Sequence, residues 1–389
     1  MGMTGRSDPR PMTIMVAVAM LFAAAVYGWV LGLAPFGPGA SAPIVAVSAT
    51  PSASPTPRAP DVKVAHETCC KQAARFLNAS WESTERVTAA AFTLEPPPPF
   101  DCSATIDPSG LKGTFGCVGL LRGATDHIGH LVLTTTAGRF PVAHRFRTMG
   151  DRLENVQWFT EFEDPKGDPL ACAAASSRII QMYTTGQDKM TATQILEFGR
   201  QFNKSNDPGL DPVAIATLLK RLDARNSYHY YRFSTRDEAT AAAVYWLFRS
   251  GKPVMAITLA GQHGPLVTGF QGTYGTYYDD PNNKITGIVV EDPQRGDMRA
   301  ETASRRPDKY RAPDFQTGHL LLMDEWLRDE WWFGFAYATS VKMPDGSTVN
   351  IERNDGAYPT PHWGGKFVLI VDDADGDWAS DKEGRVKFH

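Results

Sequence analysis

The sequence predicts an α+β protein with two folded regions behind a non-polar N-terminal segment. The chain has 389 residues, which suits about two domains at roughly 150 residues each. In the C-terminal half, segments with helical spacing come first and strand-like runs follow, which is typical of an α+β layout. The net charge is −4 and no block of Lys or Arg stands out, so nothing indicates a nucleic-acid partner.

The N-terminus has the pattern of a membrane anchor. Arg6 and Arg10 precede an apolar run, and no charged residue occurs between Arg10 and Arg58. About 20 apolar residues cross a bilayer as a helix, and a positive flank stays in the cytoplasm. We therefore expect residues 1–12 in the cytoplasm, a transmembrane signal anchor over 13–36, and the rest of the chain outside. The alternative is a cleaved signal peptide, with a small-residue cleavage site at residues 47–49, and a secreted protein.

A linker and a small domain follow the anchor. Residues 37–60 are rich in Ala, Ser and Pro and nearly uncharged, which favours an extended tether. Residues 61–160 predict a small α+β domain that loosely resembles cone-shaped domains of the nuclear-transport-factor-2 type. The segment HETCCKQAARFLNASWES, residues 66–83, has helical spacing; residues 110–123, 130–150 and DRLENVQWF, residues 151–159, are strand-like and separated by glycine-containing turns.

Four cysteines of this small domain form an even set: Cys69, Cys70, Cys102 and Cys117. Outside the cytosol, thiols tend to pair. Adjacent cysteines are poorly placed to bridge each other, because a disulfide suits Cα atoms about 5.5 Å apart. We therefore expect two disulfides that join Cys69 and Cys70 to Cys102 and Cys117, in either order, with Cys172 left over.

Residues 161–389 predict a second domain with a helical half and a sheet half. Four segments with helical patterns begin near residues 172, 191, 212 and 236, and strand-like runs follow near 253, 264 and 285. The late segment WGGKFVLIVDD, residues 363–373, predicts a closing strand.

Cys172 is the first candidate for chemistry. It follows a turn-like Asp-Pro and begins an alanine-rich run, which places it near a helix N-terminus. Backbone N–H groups and the helix dipole stabilise a thiolate there. The segment alone favours a small buried core residue over a nucleophile, because cysteine is commonly buried.

A thiolate nucleophile needs a base, and the base needs an orienting group. His263 follows a glycine turn between two predicted strands, and Asp292 ends the next apolar run just before a proline. Asp280 is the alternative acid. Its surroundings, DDPNN, have turn chemistry at each position and predict a hairpin tip, so we favour Asp292.

These three positions resemble the papain-like cysteine peptidases, in their C39-like and AvrRpt2-like branches. The resemblance is carried by CAAAS at 172–176, HGPLVTGF at 263–270 and EDP at 291–293, and it covers roughly residues 161–370. It implies a Cys172–His263–Asp292 triad in a cleft between the helical half and the sheet. Such enzymes commonly carry a glutamine six residues before the cysteine as an oxyanion donor. Lys166 stands there, and the nearest upstream glutamine is Gln157.

The resemblance implies hydrolysis of peptide or amide bonds with no metal and no organic cofactor, and a peptide or protein substrate. The alternatives are a cell-wall amidase or endopeptidase or an acyltransferase on the same scaffold, or a weak or inactive binding module. The motif at residues 126–130 contains two histidines without a clear third ligand, so we do not interpret it as a metal site.

Overall fold

The computed structural model describes residues 59–66, 73–161, 170–205, 207–276, 280–294, 319–327, 340–342, 346–350 and 365–374. All of them belong to one unit, Pro57–His389; the other unit, Met1–Thr56, lies outside the described residues. The predicted anchor over 13–36, most of the linker, Cys69, Cys70 and Lys166 also lie outside them. Within the described ranges, no helix has the length and apolar character that crossing a membrane requires.

The fold is mixed α+β, with antiparallel sheets and few helices in the described part of the chain. The N-terminal portion consists of strands in two sheets, ordered β1-β2-β5-β4 and β3-β6-β7. The strands are β1 Val62–His66, β2 Phe76–Ser83, β3 Val87–Glu95, β4 Cys102–Ala104, β5 Lys112–Leu120, β6 Asp126–Thr135 and β7 Gly138–Arg147. Residues from both sheets share one apolar core, which includes Trp81, Phe92, Phe115 and Leu131.

The helix predicted over residues 66–83 is wrong where the structure describes it, because Phe76–Ser83 is strand β2. Leu77, Ala79 and Trp81 are buried alternately, which is the two-residue period of a strand. The helical spacing is confined to residues 70–77, which overlap only the first two residues of the strand. Pairing with β1 on one side and β5 on the other then decides the conformation. The small domain is therefore not α+β in its described residues, and the nuclear-transport-factor-2 comparison loses the helix on which it depended.

The predicted disulfide pairing is also wrong, because Cys102 and Cys117 are bonded to each other. They face each other directly across the β4–β5 pair, with their Cα atoms 4.1 Å apart. Strand register, which spacing does not reveal, places the two sulfur atoms together. Among the cysteines that the structure describes, Cys172 is free and buried.

The C-terminal portion contains a six-stranded antiparallel sheet, ordered β12-β11-β10-β9-β15-β8. A separate hairpin is formed by β13 and β14. The strands are β8 Tyr228–Phe233, β9 Val254–Ile257, β10 Leu266–Thr273, β11 Lys284–Glu291, β12 His319–Leu322, β13 Ser340–Lys342, β14 Thr348–Asn350 and β15 Phe367–Asp372. The predicted closing strand is confirmed as β15, which lies inside the sheet between β9 and β8.

The four predicted helices of this portion are confirmed, and a short fifth follows. They are α1 Cys172–Thr185, α2 Ala192–Arg200, α3 Pro212–Leu222, α4 Arg236–Ser250 and α5 Met323–Trp326. Local chemistry explains their ends. Thr191 and Thr235 form capping boxes at the starts of α2 and α4, and Gly186 and Gly251 end α1 and α4 in the left-handed conformation.

The two portions share extensive packing. Leu120, Met149, Leu153 and Val156 belong to the apolar core of the C-terminal portion. Residues 151–159, which we predicted as a strand, form only one isolated bridge, Arg152 to Gly269. The segment leaves the sheet after Leu153, whose N–H donates to Thr268 O at 2.7 Å. We call residues 151–161 the cover segment.

Candidate active site

Cys172 is the first residue of α1. Ala171 precedes it as the N-cap and provides no side-chain cap, so the first N–H groups of the helix have no capping side chain. The Cys172 thiol donates to the backbone oxygen of Gln262 at a sulfur–oxygen distance of 3.6 Å. One turn later, the Ser176 hydroxyl donates to Gly264 O at 2.5 Å. The helix start is therefore held against the turn that carries His263.

This turn is tight and closes on itself. A 3-10 helix, Leu259–Gly261, follows β9, and backbone hydrogen bonds link Thr258 and His263 in both directions. Leu259 has φ 48° and Gly261 has φ 98°. Glycine tolerates such a value, whereas for leucine it is strained. The turn thereby presents the His263 ring towards the end of β11.

Gly264 permits the close approach of α1 to this turn. A Cβ built there would lie 3.1 Å from Met255 Sδ and 3.5 Å from the Cα and Cβ atoms of Ala173. Any side chain larger than alanine would therefore extend into the space between this turn, Met255 and the start of α1, which carries Cys172.

His263 and Asp292 form a buried hydrogen-bonded pair. The distance from His263 Nε2 to Asp292 Oδ1 is 2.8 Å. Asp292 follows β11 directly, and its Oδ1 also accepts the backbone N–H of Gln294 at 2.9 Å. Because the carboxylate accepts from Nε2, the proton-exchanging nitrogen of a neutral His263 ring is Nδ1.

Asp280 lies elsewhere, in the turn before β11. Its carboxylate accepts from the backbone N–H and the side-chain amide of Asn282, at 2.8 and 2.9 Å. These hydrogen bonds lower the pKa of Asp280, with the Asn282 backbone N–H as the main cause. The residue stabilises its own turn.

All three candidate residues are buried. The exposed fractions are 6% for Cys172, 1% for His263 and 3% for Asp292. Burial raises the pKa of the Cys172 thiol well above its ordinary value, and the negative charges of Glu161 and Asp292 act in the same direction. Backbone N–H groups of Gly264 and Ala173 oppose them. Burial and the two negative charges therefore outweigh the stabilisation that the helix N-terminus gives to a thiolate. The position of Cys172 in the sequence alone suggests an ionised sulfur, whereas the structure favours the neutral thiol.

Sequence reasoning missed two residues of the cover segment. The Trp158 indole N–H donates to the backbone oxygen of Asp292 at 2.8 Å. Glu161 is 1% exposed, and its backbone N–H donates to Pro293 O at 3.1 Å. Nothing local marks either residue, because their partners lie more than 130 positions along the chain.

The other candidates do not join this site. Gln157 is exposed on the cover segment. His127 is buried, whereas His130 is exposed and lies 3.4 Å from Glu95. Because three positions separate these histidines on β6, they point to opposite faces of the sheet.

No family model matches the chain, and no curated protein matches it. Among solved structures, the crystal structure of UfSP from C. elegans is similar over 59% of this chain and 35% of its own, with 12% identity and a TM-score of 0.30. The chain thus matches about a third of that protein's length.

Proposed function

We propose that this protein is a cysteine hydrolase of peptide or amide bonds with a papain-like catalytic domain over residues 161–389. The observation that carries the proposal is the buried His263–Asp292 pair at 2.8 Å, together with the Cys172 thiol at the start of α1, which donates to the backbone oxygen of Gln262, the residue just before His263. A cysteine, a histidine and an orienting acid in this relation form the constellation that nucleophilic acyl transfer requires.

In this mechanism, Asp292 holds His263 through Nε2 and leaves Nδ1 to accept the thiol proton. The Cys172 sulfur attacks the substrate carbonyl carbon and forms a tetrahedral intermediate. The C–N bond then breaks, and Nδ1–H of His263 protonates the leaving amine. Water attacks the resulting thioester, which releases the carboxylic acid and restores the thiol.

The negative oxygen of the intermediate needs hydrogen-bond donors. We assign the backbone N–H of Cys172 as one donor, because it belongs to the first turn of α1, where N–H groups have no partner within the helix. We assign no second donor: Lys166 lies outside the described residues.

We also propose that the catalytic portion acts outside the cytoplasm, anchored through residues 13–36. The Cys102–Cys117 disulfide supports this location, because structural disulfides persist in oxidising compartments. A reporter that is active only in the periplasm or outside the cell, fused after residue 60, should be active; activity of a cytoplasm-restricted reporter at that position would contradict the proposal.

The catalytic proposal is tested by hydrolysis with the purified full chain. Release of new amino groups from an unfolded protein substrate should be abolished by Cys172→Ala. The same assay on purified peptidoglycan distinguishes a cell-wall amidase, and hydroxamate formation with added hydroxylamine detects acyl transfer. Hydrolysis that persists in Cys172→Ala, or no turnover on any of these substrates, would reject the proposed activity.

A further inference from the structure

The end of the cover segment is attached to both elements that carry the candidate catalytic residues. Trp158 donates to Asp292 O, and the Glu161 N–H donates to Pro293 O, so two contacts fall just beyond β11. The third contact is to α1, where the Arg178 guanidinium lies 4.0 Å from the centre of the Phe159 ring. Residues 158–161 therefore connect the cysteine helix to the aspartate end of the sheet.

The contact to α1 is firm because Arg178 is itself fixed. Its Nε and Nη2 atoms donate to the two carboxylate oxygens of Asp188 at 2.7 and 2.6 Å. The Arg178 side chain is buried, so the Phe159 ring packs against a cation that is largely removed from water. This strengthens the attachment of the segment to α1.

In this arrangement a substrate has little access to the sulfur. A carbonyl carbon must come within about 3–3.5 Å of the attacking atom and in line with it. Cys172 is 6% exposed and Glu161 1%. A peptide therefore cannot reach the sulfur until some part of the structure moves.

The same segment brings a negative charge to the nucleophile. Glu161 and Asp292 both oppose ionisation of Cys172, and Glu161 has the larger effect of the two. Asp292 is held in place by its hydrogen bond to His263. Glu161, in contrast, belongs to a segment that forms no regular helix or strand. Displacing residues 158–161 would move the Glu161 carboxylate away from Cys172 and so remove one of the effects that oppose ionisation of the thiol.

We propose that residues 158–161 form an inhibitory cover, which keeps Cys172 enclosed as an unreactive thiol until substrate displaces it. The proposal rests on the role of Cys172 as the nucleophile. Phe159 attaches the cover to the cysteine helix, and Glu161 acts as a positioning residue that restrains ionisation of the thiol.

The experiment measures the alkylation rate of Cys172 by iodoacetamide at pH 7 in the native full chain. The modified Cys172 peptide is quantified by mass spectrometry, which separates it from the other cysteines. Glu161→Gln, which keeps the volume, and Phe159→Ala, which detaches the cover, should each accelerate alkylation about tenfold or more. Lowering a thiol pKa by one unit raises the thiolate fraction tenfold at a pH below that pKa.

Glu154→Gln is the matched control, because Glu154 is an exposed carboxylate on the same segment; its rate should equal that of the wild type. Near-ultraviolet circular dichroism verifies that each variant is folded. If Phe159→Ala unfolds, the isosteric Glu161→Gln variant decides the test. If the alkylation rate of Glu161→Gln is within twofold of the wild-type rate, or slower, the proposal that residues 158–161 form an inhibitory cover is wrong. Because alkylation needs no turnover, this result is independent of whether the chain hydrolyses any substrate.

Discussion

At the residue scale, the two candidate acids differ in what their carboxylates bind. Asp292 accepts from His263 Nε2, whereas Asp280 accepts from Asn282 within its own turn. The first arrangement holds an imidazole in one tautomer and orientation, and the second closes a loop. Asp280 precedes β11 and Asp292 follows it, and the hydrogen-bond partner of each carboxylate separates their roles.

Replacing Asp292 by Asn should lower kcat/KM for a peptide substrate by about 10²–10⁴, because the amide no longer stabilises the imidazolium or enforces the productive tautomer. Asp280→Asn is the control and should retain turnover within about twofold. Steady-state kinetics on both variants checks this. An equal loss in the two variants would contradict the assignment of Asp292 as the orienting acid.

Gly264 provides a second prediction at this scale. Gly264→Val should destabilise the protein by about 1–3 kcal/mol, since the added atoms meet Met255 and Ala173. It should also lower turnover more than stability alone explains, because α1 carries Cys172. Urea unfolding and kinetics at saturating substrate measure the two effects. Ala143→Val, which introduces the same side chain on the exposed face of β7, is the control and should change neither.

At the scale of elements, β4 depends on a covalent link to its neighbour. It has three residues, and it pairs with β5 at one edge of its sheet. Hydrogen bonding alone holds so short an edge strand weakly, and the disulfide closes a loop with a sequence separation of 15. Constraining the unfolded chain in this way stabilises the fold.

Replacing Cys102 and Cys117 together by Ser should therefore lower the free energy of unfolding by about 2–4 kcal/mol. Guanidinium unfolding followed by tryptophan fluorescence measures the change. Ser103→Ala, on the exposed face of the same strand, is the control. A double variant as stable as the wild type would show that β4 is held by its packing.

At the scale of the whole molecule, histidines join the two sheets of the N-terminal portion. His66 on β1 and His144 on β7 are linked across the two sheets by a ring nitrogen distance of 2.9 Å, and within the β3-β6-β7 sheet the His127 ring stacks on Phe146. Burial, with a smaller effect of His144, lowers the pKa of His66 to about 4. Burial also lowers the pKa of His127 and of His144.

These shifts predict a loss of stability in mild acid. The unfolded chain takes up protons near pH 6.5, whereas the folded chain resists them until about pH 4 at His66, so falling pH favours unfolding across this window. The loss should be on the order of 2 kcal/mol. Thermal unfolding from pH 7.5 to 4.5 measures it. His144→Asn should reduce the dependence, whereas His130→Gln, an exposed histidine of β6, should leave it unchanged.

What the sequence determined by itself is mostly local. The helices α1 to α4 follow from apolar periodicity, and Thr caps at the starts of α2 and α4 and glycines at the ends of α1 and α4 act within a few residues. Cys172, His263 and Asp292 are candidates from the sequence because Cys172 stands at the start of a predicted helix, and His263 and Asp292 stand next to the ends of predicted strands. The membrane anchor and the extracytoplasmic location of the rest of the chain depend on the composition of the N-terminus, and both stay predictions.

Only the tertiary structure decided the features that depend on distant partners. Phe76–Ser83 became a strand because β1 and β5 pair with it, and Cys102 bonded Cys117 because register placed them opposite each other. The cover segment has no sequence signal, since Trp158 and Glu161 act through residues at the end of β11. Propensity is a sum over neighbours in the chain, whereas pairing, burial and the charge around Cys172 are set by neighbours in space.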